Sequence, residues 1–179
     1  MTDGTGGPCR LARPDEIEIV RDIQRAAGRM FLETPYPEAA GDPVDDAETL
    51  AAAQDNWWLW VAVDADDRPV GAAHLKILGD GLHLRELDVH PDHAGARLGA
   101  AILNAVERFF AGRGIPYISL TTFIDVPWNA PYYERIGFGI VAPDEMDEPL
   151  RLAWQSEVAN FPSEKRVAMR KPFGAGGNR

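Results

Sequence analysis

Apolar residues recur along this chain first at helical spacing, then at strand spacing, then by turns. Ile17, Val20, Ile23, Ala27 and Met30 fall on one helical face, and Pro14-Asp15-Glu16 supplies the proline and acidic residues that open a helix. A short strand over Cys9 to Arg13 precedes it, and a helix over Ala47–Gln54, capped by Asp45 or Asp46, follows. Trp57–Val63, Val70–Ile77 and Leu82–Val89 read as three strands, turned at Asp66-Asp67-Arg68-Pro69 and at Gly79-Asp80-Gly81. A second amphipathic helix runs from Leu98 to Ala111 with Leu98, Ile102, Ala105, Val106 and Phe109 inward. Gly112-Arg113-Gly114 ends it, and Pro116–Phe123 is the next strand. Strand, helix and strand on this scale make a right-handed crossover, so Leu82–Val89 and Pro116–Phe123 are expected to be parallel.

A short helix from Pro131 to Ile136, with Asn129 as a candidate cap, exits through Gly137 and Phe138. A strand through Val141, a helix over 146–159 and a strand at Arg166–Lys171 complete the pattern. The class is α/β, with a mixed central sheet and flanking helices. Residues 1–8 and 174–179 are Gly-rich ends expected to fray, leaving 9–173 as a single domain.

The 179 residues fit one core, and composition narrows the setting. No apolar run approaches the ~18 residues of a membrane span. The N-terminus lacks the basic and apolar stretches of a signal peptide. The lone Cys9 leaves no internal disulfide and no cysteine zinc cage, so a reducing, cytoplasmic setting is expected. Twenty-eight acidic residues against 18 Lys and Arg give a charge of −10, which repels nucleic acid and attracts a cationic small molecule. His83, His90 and His93 have no ordinary ligand spacing, and no metal is expected. Trp58 and Trp60 share a strand face and Trp57 points away, a pattern that speaks for packing more than for an aromatic cage.

Candidate chemistry begins after Val89. Val89-His-Pro-Asp-His-Ala-Gly-Ala-Arg-Leu-Gly99 puts small residues at the mouth of a helix, where backbone N–H groups and the helix dipole favour an anion such as a pyrophosphate. It is not a P-loop, because no Lys-Ser/Thr follows Gly99. Nor is it a dinucleotide fingerprint, since Arg97 stands where a glycine is needed.

Leu87-Asp88-Val89-His90-Pro91, that loop, the helix after it and Asn129-Ala-Pro-Tyr-Tyr133-Glu-Arg-Ile-Gly137-Phe138 together resemble the GNAT superfamily of acyl-CoA N-acyltransferases. Leu120-Thr-Thr-Phe-Ile-Asp-Val-Pro-Trp-Asn129 resembles a bacterial subgroup within it. The family loop reads Gln/Arg-x-x-Gly-x-Gly/Ala, whereas this chain has Ala94 and Arg97 at the first two fixed positions and agrees only at Gly99. Arg97 enters a left-handed conformation only at a cost, and is expected instead to bring a cation to the pyrophosphate.

The resemblance implies splayed parallel strands gripping acetyl-CoA, and direct attack of an amine on the thioester. Carried over residue by residue, backbone groups of Leu87, Asp88 and Val89 hold the pantetheine arm. The Val89 N–H polarises the thioester carbonyl. Ala94, Gly95, Ala96, Arg97, Leu98, Gly99 and Ala100 hold the pyrophosphate, with Asn129 and Tyr132 as further cofactor contacts. Tyr133 protonates the departing thiolate, and either Glu86 or His83 accepts the amine proton. Strand alternation puts His83 and Arg85 on one face and Glu86 and Asp88 on the other, unless a bulge intervenes. Asn129 and Tyr133 share one face of their helix, while Tyr132 and Ile136 share another that suits the core. The partners implied are acetyl-CoA and an amine, with a homodimer common among relatives. A non-catalytic acyl-CoA-binding domain is the rival reading.

Overall fold

A computed structural model of the chain describes residues 8–159 and 165–174. The expected frayed residues 1–7 and 175–179 lie outside the described set. Seven strands form one mixed sheet in the order β1-β2-β3-β4-β5-β7-β6. They are β1 (Cys9–Leu11), β2 (Leu59–Val63), β3 (Pro69–Leu78), β4 (Gly81–Val89), β5 (Tyr117–Phe123), β6 (Gly139–Val141) and β7 (Arg166–Pro172). The helices are α1 (Ile17–Gly28), α2 (Ala47–Asp55), α3 (Leu98–Phe110), α4 (Ala130–Arg135) and α5 (Glu148–Val158). The α/β class and mixed sheet expected from the sequence are therefore found. The chain gathers into two compact units, one running up to Leu75 together with Glu86–Arg108, the other comprising Lys76–Arg85 and the chain from Phe109 onward.

In the first unit, Ile17 and Val20 of α1, Leu50 and Ala53 of α2, Leu59, Val61 and Val63 of β2 and Ala72 of β3 make one core. Burying each of the larger side chains contributes about 1.5–3 kcal/mol. α1 starts after a 3₁₀ turn at Pro14–Glu16, where the buried Glu16 carboxylate accepts the Arg13 N–H and pairs with Arg10. Asp46, rather than Asp45, caps α2 by accepting from the Thr49 N–H at 2.7 Å. Trp57 and Trp58 precede β2 instead of belonging to it. Trp57 stands at φ +64, and its carbonyl accepts the Trp60 indole N–H at 3.0 Å. On the other face of β3, the position a Cβ would take at Gly71 lies 3.5 Å from Ile102 of α3 and 3.4 Å from Val89 of β4. Side chains alternate along a strand, so Ala72 and His74 of β3 and Asp88 of β4 face α1 and α2.

In the second unit β4 and β5 pair in parallel at Leu82↔Ile118 and His83↔Ser119, as the crossover demands. β7 runs antiparallel to β5 along its whole length and to β6 at Gly139↔Arg170 through Val141↔Ala168. Met146, Leu150 and Ala168 form a core completed by Leu78, Val141 and Trp154, whose indole donates to the Arg166 carbonyl at 3.0 Å. Gly81 is required by the Tyr117 ring, which a Cβ would meet at 2.2 Å. The inward face of α3 differs from expectation at its end, because Phe110 is buried and Phe109 half-buried under the Arg113 guanidinium.

Candidate active site

The loop before α3 departs from the family pattern in residue type, and its backbone turns sharply before the helix. His90 opens it by accepting the Asp92 N–H, and Pro91–His93 makes one 3₁₀ turn. Gly95 then stands at φ +83 and Arg97 at φ +57. Arg97 thus occupies the left-handed region that its Cβ makes costly, about 1–2 kcal/mol for an L-residue. Its carbonyl accepts the Ala101 N–H at 3.0 Å, so α3 begins directly after it. The first N–H groups of α3, at Leu98, Gly99 and Ala100, have no carbonyl one turn back to bond. These three amides and the positive end of the dipole of a thirteen-residue helix meet at one point with Arg97 beside them. Nothing lies within 4 Å of a Cβ at Gly95, so the loop's outer surface is open.

On β4 the two candidate bases have opposite surroundings. His83 is 3% exposed, and its Nδ1 lies 3.0 Å from the Ser119 hydroxyl. Ser119 spends its proton on the Leu82 carbonyl at 3.1 Å, so the hydroxyl accepts and His83 Nδ1 carries the hydrogen. Burial first, then the nearby Lys76 and Arg85 charges, depress the His83 pKa to about 3. Glu86, three residues on, is exposed.

Tyr133 is buried at 8% exposure, with its ring 5.4 Å from those of Tyr132 and Phe138. This reverses the expected division of α4: Tyr133 faces the core, and Tyr132 and Ile136 are half-buried. A helix of six residues turns too little to give two clean faces, and the exit through Gly137 at φ +100 seats Phe138 against Tyr133. The Phe138 N–H bonds the Tyr133 carbonyl at 3.0 Å. Asn129 makes no side-chain cap, and its carbonyl receives the Tyr132 and Tyr133 N–H groups at 2.8 and 3.0 Å.

A polar cluster in the first unit has no counterpart among the expected sites. Asp45 Oδ2 accepts from His74 Nδ1 at 2.7 Å and from Gln24 Nε2 at 3.2 Å. Arg21 Nε donates to the Asp45 carbonyl at 3.1 Å. Asp88 belongs to the same group: burial, then the Asp45 charge, raise its carboxyl above the usual carboxylate range. The signals visible in the chain are Gln24 on the apolar stripe of α1 and His74 within an apolar strand.

Residues 20–138 match the Acetyltransferase (GNAT) family, and the chain belongs to that family. It is 37% identical over 89 residues to a mycothiol acetyltransferase of Clavibacter michiganensis subsp. michiganensis. That stretch is 48% of this chain and 28% of the relative, so the chain spans little over a quarter of that protein. In fold it is similar to the PaiA N-acetyltransferase of Thermoplasma acidophilum, solved with coenzyme A, at a TM-score of 0.67 and 17% identity over 93% of this chain and 98% of that one. It is also similar to N-acetylglutamate synthase of Neisseria gonorrhoeae, solved with coenzyme A and N-acetyl-glutamate, at a TM-score of 0.69 and 18% identity over 93% of this chain and 35% of that one. Among the described residues no helix is long and apolar enough to cross a membrane.

Proposed function

We propose that the chain transfers an acetyl group from acetyl-CoA to a primary amine by direct attack within a ternary complex. The observation that carries this is the left-handed Arg97 at the mouth of α3. The mouth of a helix, with backbone N–H groups left over, favours a pyrophosphate, and Arg97 adds a guanidinium suited to phosphate. The rival reading, a non-catalytic acyl-CoA-binding domain, draws on the departure at Arg97, and turnover separates the two.

Ala94 through Ala100 hold the pyrophosphate in this scheme. Backbone groups of Leu87 and Asp88 pair with the pantetheine arm, and the Val89 N–H bonds the thioester oxygen as it gains charge. Asn129 and Tyr132 serve as the remaining cofactor contacts. The amine nitrogen bonds to the carbonyl carbon, the carbon–sulfur bond breaks, and the thiolate takes a proton from the Tyr133 phenol. A primary alkylamine, with a pKa of about 10 in water, must first lose a proton. Glu86, exposed on β4, is the acceptor favoured here, because a neutral His83 with its Nδ1–H engaged is a weak base at neutral pH.

Release of CoA thiol across a panel of amines tests the reaction. Tyr133→Phe is expected to lower kcat about tenfold or more while acetyl-CoA affinity stays within twofold. Unchanged turnover would remove the phenol from the chemistry.

A further inference from the structure

The side chains of Gln24, Asp45, His74 and Asp88 have no part in the roles above, where Asp88 enters only through its backbone. The cluster's members come from α1, the segment before α2, β3 and β4, and they face one another from the same side of the sheet. Its balance of donors and acceptors is unequal. Asp45 Oδ2 accepts from His74 and from Gln24. That second bond fixes the Gln24 amide, since turning it over would set two oxygens together. Gln24 Oε1 and Asp88 Oδ2 are then left buried with no donor, and Gln24 is only 7% exposed. Two acceptors and a carboxylate, closed off from bulk water, call for a partner that brings several N–H groups and a positive charge.

We propose that this cluster seats a second ammonium group of the acceptor, so that the acceptor is a short diamine or similar dication, held at one nitrogen and acetylated at the other. The inference rests on the amine-acetyltransferase reading given above. The seated nitrogen is not the reacting one, because buried carboxylates keep an amine protonated and its lone pair occupied. The reacting nitrogen falls to Glu86. Glu86 lies two residues before Asp88 on the same face of β4, about 7 Å along the strand. A short flexible diamine spans that separation. Asp45 is carried by residues 42–46, which have no regular structure, so the cluster can open to admit a ligand without breaking a helix or strand. A net charge of −10 draws a dication toward it.

The test is calorimetric titration of the full chain with diaminobutane and with butylamine, each with CoA present. Wild-type protein is expected to bind the diamine at least tenfold more tightly. Asp45→Asn and Asp88→Asn are each expected to bring the ratio close to one, and Asp45→Asn is expected to keep CoA affinity within twofold of wild type. Glu48→Gln, at an exposed acid of α2, is expected to keep the ratio. A wild-type ratio near one, or a ratio that survives both substitutions, overturns the proposal. Thermal melting verifies that each variant folds, and Gln24→Leu, which removes the orphaned oxygen, carries the same test should either aspartate variant fail to fold. Failure of CoA to bind would count against the acetyltransferase reading. CoA binding without a diamine preference would overturn the second-ammonium seat alone.

Discussion

The His83 imidazole donates to the Ser119 hydroxyl at 3.0 Å, and that hydroxyl donates in turn to the carbonyl of Leu82, the neighbour of His83 in the chain. The relay closes on the rung where β4 and β5 pair in parallel, His83↔Ser119. Its proton is committed to holding two strands together. His83→Leu is therefore expected to cost about 1–3 kcal/mol in urea unfolding, by leaving the serine with an unmet bond. The pH dependence of turnover should keep its position. An acid-side limb near the ordinary histidine pKa that disappears in the variant would return His83 to the chemistry.

Arg97 and glycine compete for the same backbone position. Relief of the left-handed strain, about 1–2 kcal/mol, is offset by roughly 0.5–1 kcal/mol of added chain entropy in the unfolded state. Arg97→Gly is thus expected to stabilise the fold by up to about 1 kcal/mol and to weaken CoA binding severalfold. Thermal melting and titration read the two effects separately. Equal or tighter CoA binding would make Arg97 a surface residue with no grip on phosphate.

Asp88 gives stability a dependence on pH. Its carboxyl titrates higher in the folded protein than in the unfolded chain, so the folded state binds more protons between the two values. Stability from this group is present at acid pH and is lost as pH rises through the folded-state pKa. Asp88→Asn cannot ionise. It is expected to gain on wild type in urea midpoint as pH rises from about 5 to about 8. A difference that stays constant across that range would show that Asp88 does not titrate there.

Much of the sheet is legible in the chain because apolar period alone separates α1 and α3 from the strands, and Gly79, Gly81 and Gly137 mark where the chain turns. What escapes is set by distance along the chain. Asp45 and Asp46 are equal candidates for a helix cap until His74, 29 residues away, claims one of them. Gln24 and His74 look like polar lapses in apolar runs, and only the approach of α1 to β3 shows that they share an acceptor. Arg97 is visible as a departure, but residue type cannot show that the loop holds it left-handed. On α4, six residues are too few for periodicity to decide between Tyr132 and Tyr133.

Trp57 closes α2 as glycine usually does. Its N–H bonds the Gln54 carbonyl at 3.1 Å and the Trp58 N–H bonds the Ala53 carbonyl at 2.8 Å, a Schellman pattern with a left-handed residue that is 55% exposed. Trp57→Gly is expected to raise stability by up to about 1 kcal/mol. A loss instead would show that the indole makes a contact worth more than the strain.

Titration of the purified chain with acetyl-CoA, beside Arg97→Ala, bears most directly on the assignment. Micromolar affinity that falls severalfold in the variant is the expected result, with the α3 amides and the guanidinium sharing the pyrophosphate. No binding at millimolar acetyl-CoA would contradict it, and the acetyltransferase assignment for this chain would have to be given up.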